Sequence, residues 1–173
     1  MKLLIASIFQ DAGEATRALE IAEIIREYSK GYSGLILAPK EICSLEEIRP
    51  LLKNENVYIT DQCVPAAILN EKAEAVICHG GQGTLQTAIK GGAPMAAVAM
   101  QPEQQMNIQH LAAYGAAIPI KRRDFTWETL LTAVETLPTD SSFKENILAL
   151  KRTAEETDTE KIIGEAFWNR IVK

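Results

Sequence analysis

Ala75-Val76-Ile77-Cys78-His79-Gly80-Gly81-Gln82-Gly83-Thr84-Leu85-Gln86-Thr87-Ala88-Ile89-Lys90-Gly91-Gly92 is the stretch whose reading decides the fold. Ala75 to Cys78 is an apolar run of strand length that passes directly into a glycine turn. Thr84 to Lys90 then reads as a helix ended by Gly91-Gly92. A strand, a glycine turn and a helix start in that order bring free backbone N–H groups and the positive end of a helix dipole to one point, where a pyrophosphate can bind. Gly80, Gly81 and Gly83 let the backbone approach an anion without Cβ obstruction, and the His79 imidazole and Thr84 hydroxyl can donate to phosphate oxygens. Clustered glycines also make plain tight turns, so the surroundings have to decide between the two.

Working outward, short aliphatic runs alternate with stretches of helical period. Leu3 to Phe9 reads as a first strand, followed from Asp11 by a helix with Ala15, Ala18, Leu19, Ala22 and Ile25 on one face, closed by Gly31 and Gly34. Ser33 to Ala38 is a second strand, broken by Pro39. Ser44-Leu45-Glu46-Glu47 has capping-box form ahead of Ile48, Leu51 and Leu52. Val57 to Thr60 is a third strand, with a helix around Pro65 to Asn70 behind it. Beyond the glycine turn come a strand at Met95 to Ala99, a helix from Glu103 to Tyr114 stopped by Gly115, and a strand at Ala117 to Ile120. The alternation predicts an α/β chain: a Rossmann-like parallel sheet of about six strands with helices on both faces. Thr126 is an expected N-cap for a helix presenting Leu130, Leu131, Val134 and Leu137, with Pro138 as its stop. From Phe143 to Lys173, the carboxy-terminal helices carry Ile147, Leu148, Ile162, Ile163, Phe167, Trp168 and Ile171, and are expected to dock on the sheet.

Composition narrows the function classes. The chain has 173 residues and is 47% hydrophobic, enough for one well-formed core, so residues 1–173 are read as a single domain. Its formal net charge is -5, with both signs dispersed, which argues against a nucleic-acid surface. The basic cluster Lys121-Arg122-Arg123 beside Asp124 reads as a solvated loop rather than a ligand contact. Cys43, Cys63 and Cys78 form no C-x-x-C pair, and with two histidines no zinc set assembles at usual spacings. Reduced thiols, strand-sized apolar runs and an amino terminus without a secretory signal predict a soluble, cytoplasmic protein without a membrane span.

With these elements in place, residues 57–123 resemble the carboxy-terminal, donor-binding domain of GT-B glycosyltransferases that use UDP- or dTDP-sugars. The shared run is ICHGGQGTLQTAIKGGAPMAAVAMQPEQQMNIQHLAAYGAAI. In that family a strand leads into HGGxGT, then come an alanine-bearing helix, G-x-P, a strand, an acidic-Gln pair, Asn and a later glycine. Here these are His79 to Thr84, Ala88, Gly92, Pro94, Glu103-Gln104, Asn107 and Gly115.

The resemblance implies a role for each position. His79 and the amides of Gly81, Gln82, Gly83 and Thr84 would hold the donor diphosphate and stabilise charge on the leaving nucleotide, without a metal or other cofactor. Glu103 and Gln104 would bind the sugar hydroxyls. The base would lie near Val64 and Pro65. Thr87 stands where many members carry a ribose-binding glutamate, and Glu103 is one methylene longer than the family's aspartate. Asp158-Thr159-Glu160 reads as surface rather than as a metal motif.

Residues 1–32 depart from the resemblance, looking more like the first βα unit of the family's amino-terminal domain. That region offers no histidine to activate an acceptor. Asp11 and Glu14 are the acidic residues at the corresponding place, and helix capping is their favoured role. The expected function is therefore the donor half of a glycosyltransferase transferring a hexosyl group, completed by an acceptor-binding partner chain or by a homo-oligomer. The alternatives are a non-catalytic nucleotide-sugar-binding module and a UDP-sugar epimerase-like fragment, the latter opposed by the HGGxGT and Glu-Gln spacing.

Overall fold

The computed structural model describes residues 2–7, 32–37, 57–60 and 65–170. The six strands are β1 (Lys2–Ser7), β2 (Tyr32–Leu37), β3 (Val57–Thr60), β4 (Ala73–Cys78), β5 (Met95–Val98) and β6 (Ala117–Ile120). The described helices are α1 (Ala66–Asn70), α2 (Gln82–Gly91), α3 (Pro102–Ala113), α4 (Trp127–Thr139), α5 (Ser141–Glu156) and α6 (Thr159–Arg170). Arg122–Asp124 forms a 3-10 turn. The expected helices after Asp11 and Ser44 lie outside the described residues.

All strands pair in parallel, in the order β3-β2-β1-β4-β5-β6. This is the doubly wound, Rossmann-like order anticipated from the alternation. Chain order runs outward in one direction from β1 to β3 and in the other from β4 to β6. The direction switches between β1 and β4, and a crevice outside the carboxyl ends of those two strands is where such sheets bind ligands. The strand of the quoted stretch, β4, borders that point.

Strands β4 to β6 are largely apolar because both faces of the sheet are covered there. Val76 and Cys78 lie beside Met95 and Ala97, and they join Leu85, Ala88, Ile108, Leu111 and Ile147 from α2, α3 and α5 in one buried cluster. On the other face α4 packs over β4, β5 and β6 with Leu130, Ala133, Val134 and Leu137 buried. Burying an aliphatic side chain of this size contributes about 1.5–3 kcal/mol. Pro119 is tolerated because β6 is an edge strand. The Ala116 carbonyl bonds Met95 N–H, so by alternation the Pro119 nitrogen faces away from β5.

Three expectations need correction. Gly34 does not close a helix; it sits within β2, opposite Leu4 and Val57. Pro138 does not stop α4, which contains it and runs to Thr139. A proline in a last turn forfeits one hydrogen bond, and the fully buried Leu137 keeps that turn in place. The carboxy-terminal helices do not all dock on the sheet either. α5 buries Ile147 completely, whereas α6 leaves Ile162 55%, Ile163 63% and Phe167 46% exposed. Two caps agree with expectation: Thr126 Oγ1 accepts from Thr129 N–H at 3.3 Å, and Gly92 ends α2 in the left-handed region at φ 68°.

Candidate functional site

The glycine turn joins the end of β4 to α2. Gly81 is the N-cap of α2, no side chain caps this terminus, and no acidic residue occupies the first turn. The first intrahelical bond runs from Leu85 N–H to the Gly81 carbonyl at 3.0 Å, leaving the Gln82, Gly83 and Thr84 amides without helical partners. Donors and dipole thus meet at the carboxyl edge of the sheet, beside the switch between β1 and β4.

Each glycine answers to a different constraint. Gly80 has φ +85°, and a Cβ there would come within 2.6 Å of Ile108 Cδ1 and 3.1 Å of the Gln104 carbonyl oxygen. Only glycine meets both demands, since a side chain at such φ costs about 1–2 kcal/mol before any clash. A Cβ on Gly81 would lie 2.5 Å from His79 Nε2, so the imidazole lies against the N-cap of α2 and shares the corner with the amides. At Gly83 a Cβ would meet nothing within 4 Å. The protein itself therefore gives no steric reason for glycine in a helical first turn, where it is about 1 kcal/mol worse than alanine.

Helix α3 is the wall behind the turn. Gln104, Asn107 and Ile108 follow i, i+3, i+4 spacing, so all three present to one side, and all three meet the turn or the loop before α3. Asn107 Nδ2 donates to the Gly80 carbonyl oxygen at 3.3 Å and to Glu103 Oε1 at 2.6 Å. Gln104 is 8% exposed, and its Oε1 accepts from Met100 N–H at 2.9 Å and Gln101 N–H at 3.2 Å. The carbonyl half of that side chain thus holds the β5–α3 loop, leaving its NH2 as the half available to a ligand, while Glu103 is exposed. The Ile108 wall and the capping by Gln104 were absent from the sequence reading. The spacing from Gln104 to Ile108 was the available signal.

Under the turn, burial pushes the Cys78 thiol up to about 11, partly opposed by a hydrogen bond from the Gly80 backbone. Thr87 Oγ1 donates to the Thr84 carbonyl at 2.9 Å, so its proton is directed into its own helix. Pro65 is exposed at the start of α1. Val64, Asp11 and Glu14 lie outside the described residues. Lys121, Arg122 and Arg123 are exposed, and Arg123 pairs with Asp124 at 3.5 Å. Asp158 caps α6 by accepting from Lys161 N–H at 2.9 Å. Among the described residues, no group of three or more His, Cys, Asp or Glu is placed to hold a metal ion, and no helix is long and apolar enough to cross a membrane.

The sequence and the fold of the chain have counterparts in known proteins. Human UDP-glucuronosyltransferase 2A3 is 39% identical over 101 residues, 58% of this chain and 19% of that protein. Human UDP-glucuronosyltransferase 2A1 is 30% identical over 135 residues, 78% of this chain and 26% of that protein. The chain thus spans about a fifth to a quarter of the length of these relatives. Among solved structures, the glycosyltransferase VinC in complex with dTDP superposes with a TM-score of 0.78 at 18% identity, over 95% of this chain and 40% of that one. The spinosyn rhamnosyltransferase SpnG complexed with spinosyn aglycone gives 0.72 at 25% identity, over 88% and 42%. The sequence pattern of the family described as UDP-glucoronosyl and UDP-glucosyl transferase matches residues 37–172. The glycine turn, its wall in α3 and the helices that follow all fall inside that match, and the chain belongs to this family.

Proposed function

We propose that this chain binds the diphosphate of a UDP- or dTDP-sugar at the amino terminus of α2, as the donor half of a glycosyltransferase. A hexosyl group passes to an acceptor held by a second domain, whether on a partner chain or on another copy. The observation that carries this reading is the uncapped start of α2, with His79 against its N-cap and open space over Gly83. Family membership supports the donor class, and the dTDP complex of VinC, which has the same fold, supports the diphosphate end.

In this reading the amides of Gly81, Gln82, Gly83 and Thr84, with His79, take up charge as the nucleoside diphosphate leaves. Preorganised donors at a helix start can do this work without a cation. Glu103 accepts from the sugar hydroxyls, and the Gln104 NH2 donates to them. Pro65, exposed at the start of α1, serves the nucleoside end.

Calorimetric titration of the chain with UDP and with dTDP, repeated on His79→Ala, tests the reading. Binding of at least one nucleotide, weakened about tenfold or more by H79A, is expected from the loss of one charge-assisted contact. Absence of binding by the unmodified chain overturns it. Release of UDP from UDP-glucose only when an acceptor-binding domain is added separates a transferase half from a binding module.

A further inference from the structure

We propose that Asn107 is a positioning residue that couples the sugar-facing carboxylate of Glu103 to the glycine turn through a single side-chain amide. The proposal rests on the donor-site reading above and deepens it. Asn107 Nδ2 reaches acceptors on two different elements, the Gly80 carbonyl at 3.3 Å and Glu103 Oε1 at 2.6 Å. An amide NH2 carries two protons and can serve both.

Each bond has its own consequence. The peptide between Gly80 and Gly81 is planar and trans, so its C=O and N–H point in opposite directions. Holding the Gly80 carbonyl toward α3 therefore turns the Gly81 N–H away from α3, fixing one of the diphosphate donors. Glu103 is exposed, and a free glutamate on a helix surface samples many rotamers, whose restriction costs up to about 2 kcal/mol. A charge-assisted bond to the half-buried Asn107, one turn along, restricts the carboxylate before a sugar arrives. Among the described residues Glu103 meets the turn through Asn107, so the amide is the route by which the two ends of the donor feel each other.

The two parts separate in a double-mutant cycle read by calorimetry with two probes, UDP and UDP-glucose. E103A is expected to weaken UDP-glucose about tenfold and UDP by less. N107A is expected to weaken both, UDP-glucose several-fold more than UDP. In the E103A background, N107A should weaken UDP-glucose only as much as it weakens UDP. N107L removes the donors at nearly constant shape without adding charge, and should give the same pattern if N107A fails to fold. Equal effects of N107A on the two probes, or full additivity with E103A, overturn the proposal while leaving the donor site standing. Failure of the unmodified chain to bind either UDP or dTDP overturns the donor site itself.

Discussion

Lys144 Nζ donates to the carbonyl oxygen of Gly92 at 2.7 Å, across 52 residues of chain. The bond ties α5 to the left-handed cap of α2. Two residues on, Asn146 Nδ2 donates to the Gly115 carbonyl at 3.3 Å beyond the end of α3. One helix therefore holds the far ends of both helices whose near ends form the site. Replacing Lys144 by methionine keeps the stem and removes the charged donor. It should lower stability by about 1.5–3 kcal/mol in urea denaturation, while K144R should retain most of it.

The glycines of the turn should respond in opposite directions. G80A combines a disfavoured φ with a Cβ against Ile108, and should lose about 2 kcal/mol or more in stability along with UDP binding. G83A gains helix propensity with nothing in its way, so its stability should rise by up to about 1 kcal/mol while UDP affinity falls. A G83A chain that binds UDP as well as the unmodified one would mean that no ligand passes over this position.

Gln104 offers a test of acceptor chemistry. Its oxygen holds the amides of Met100 and Gln101, and a glutamate keeps an acceptor there. Thermal melting should find Q104E close to the unmodified chain and Q104L lower by about 1–3 kcal/mol, with two partly buried N–H groups left unpaired.

Cys78 links the turn to alkaline pH. Its folded value of about 11 lies above the ordinary 9.0, so between these the unfolded state has released a proton that the folded state retains. Stability should be constant below about pH 9 on this account and fall as pH rises toward 11, by roughly 3 kcal/mol in all. With Cys43 and Cys63 replaced by serine, Cys78 should react slowly with a thiol reagent at pH 8 until urea unfolds the chain. Immediate reaction in the folded state would contradict its burial.

Helix α6 predicts tolerance. Ile162 and Ile163 are more than half exposed, so I162K and I163K should melt within about 0.5 kcal/mol of the unmodified chain. A large loss would mean that this face packs on the domain after all.

The elements that were legible in the sequence carry strong local signals. The runs Ala75 to Cys78 in β4 and Met95 to Val98 in β5 are apolar and buried because the parallel sheet is covered on both faces there, and Gly92 and Thr126 punctuate helices by chemistry that is local to the chain. The turn was legible for the same reason, since a strand, three glycines and a helix start lie within about ten residues. Long-range information was harder to read. That Ile108 stands behind Gly80, or that the Gln104 oxygen serves its own loop instead of a sugar, depends on how α3 lies against β4, which no spacing within either segment states. Pro138 misled because its helix-breaking tendency is a local preference, overruled here by the burial of Leu137. The apolar residues of α6 looked like core by composition alone, although their surroundings leave them facing outward.

The place of β1 has a consequence for how the chain is made. Lys2 to Ser7 are synthesised before both of their neighbours, yet they form the middle of the sheet, with β2 on one side and β4 on the other. The second neighbour is complete only after Cys78 has been synthesised. For that interval the opening strand has an unsatisfied hydrogen-bonding edge, the condition in which nascent chains are most prone to pair with one another. The glycine turn follows at once, so the turn and the closure of the sheet's centre emerge as one event in translation.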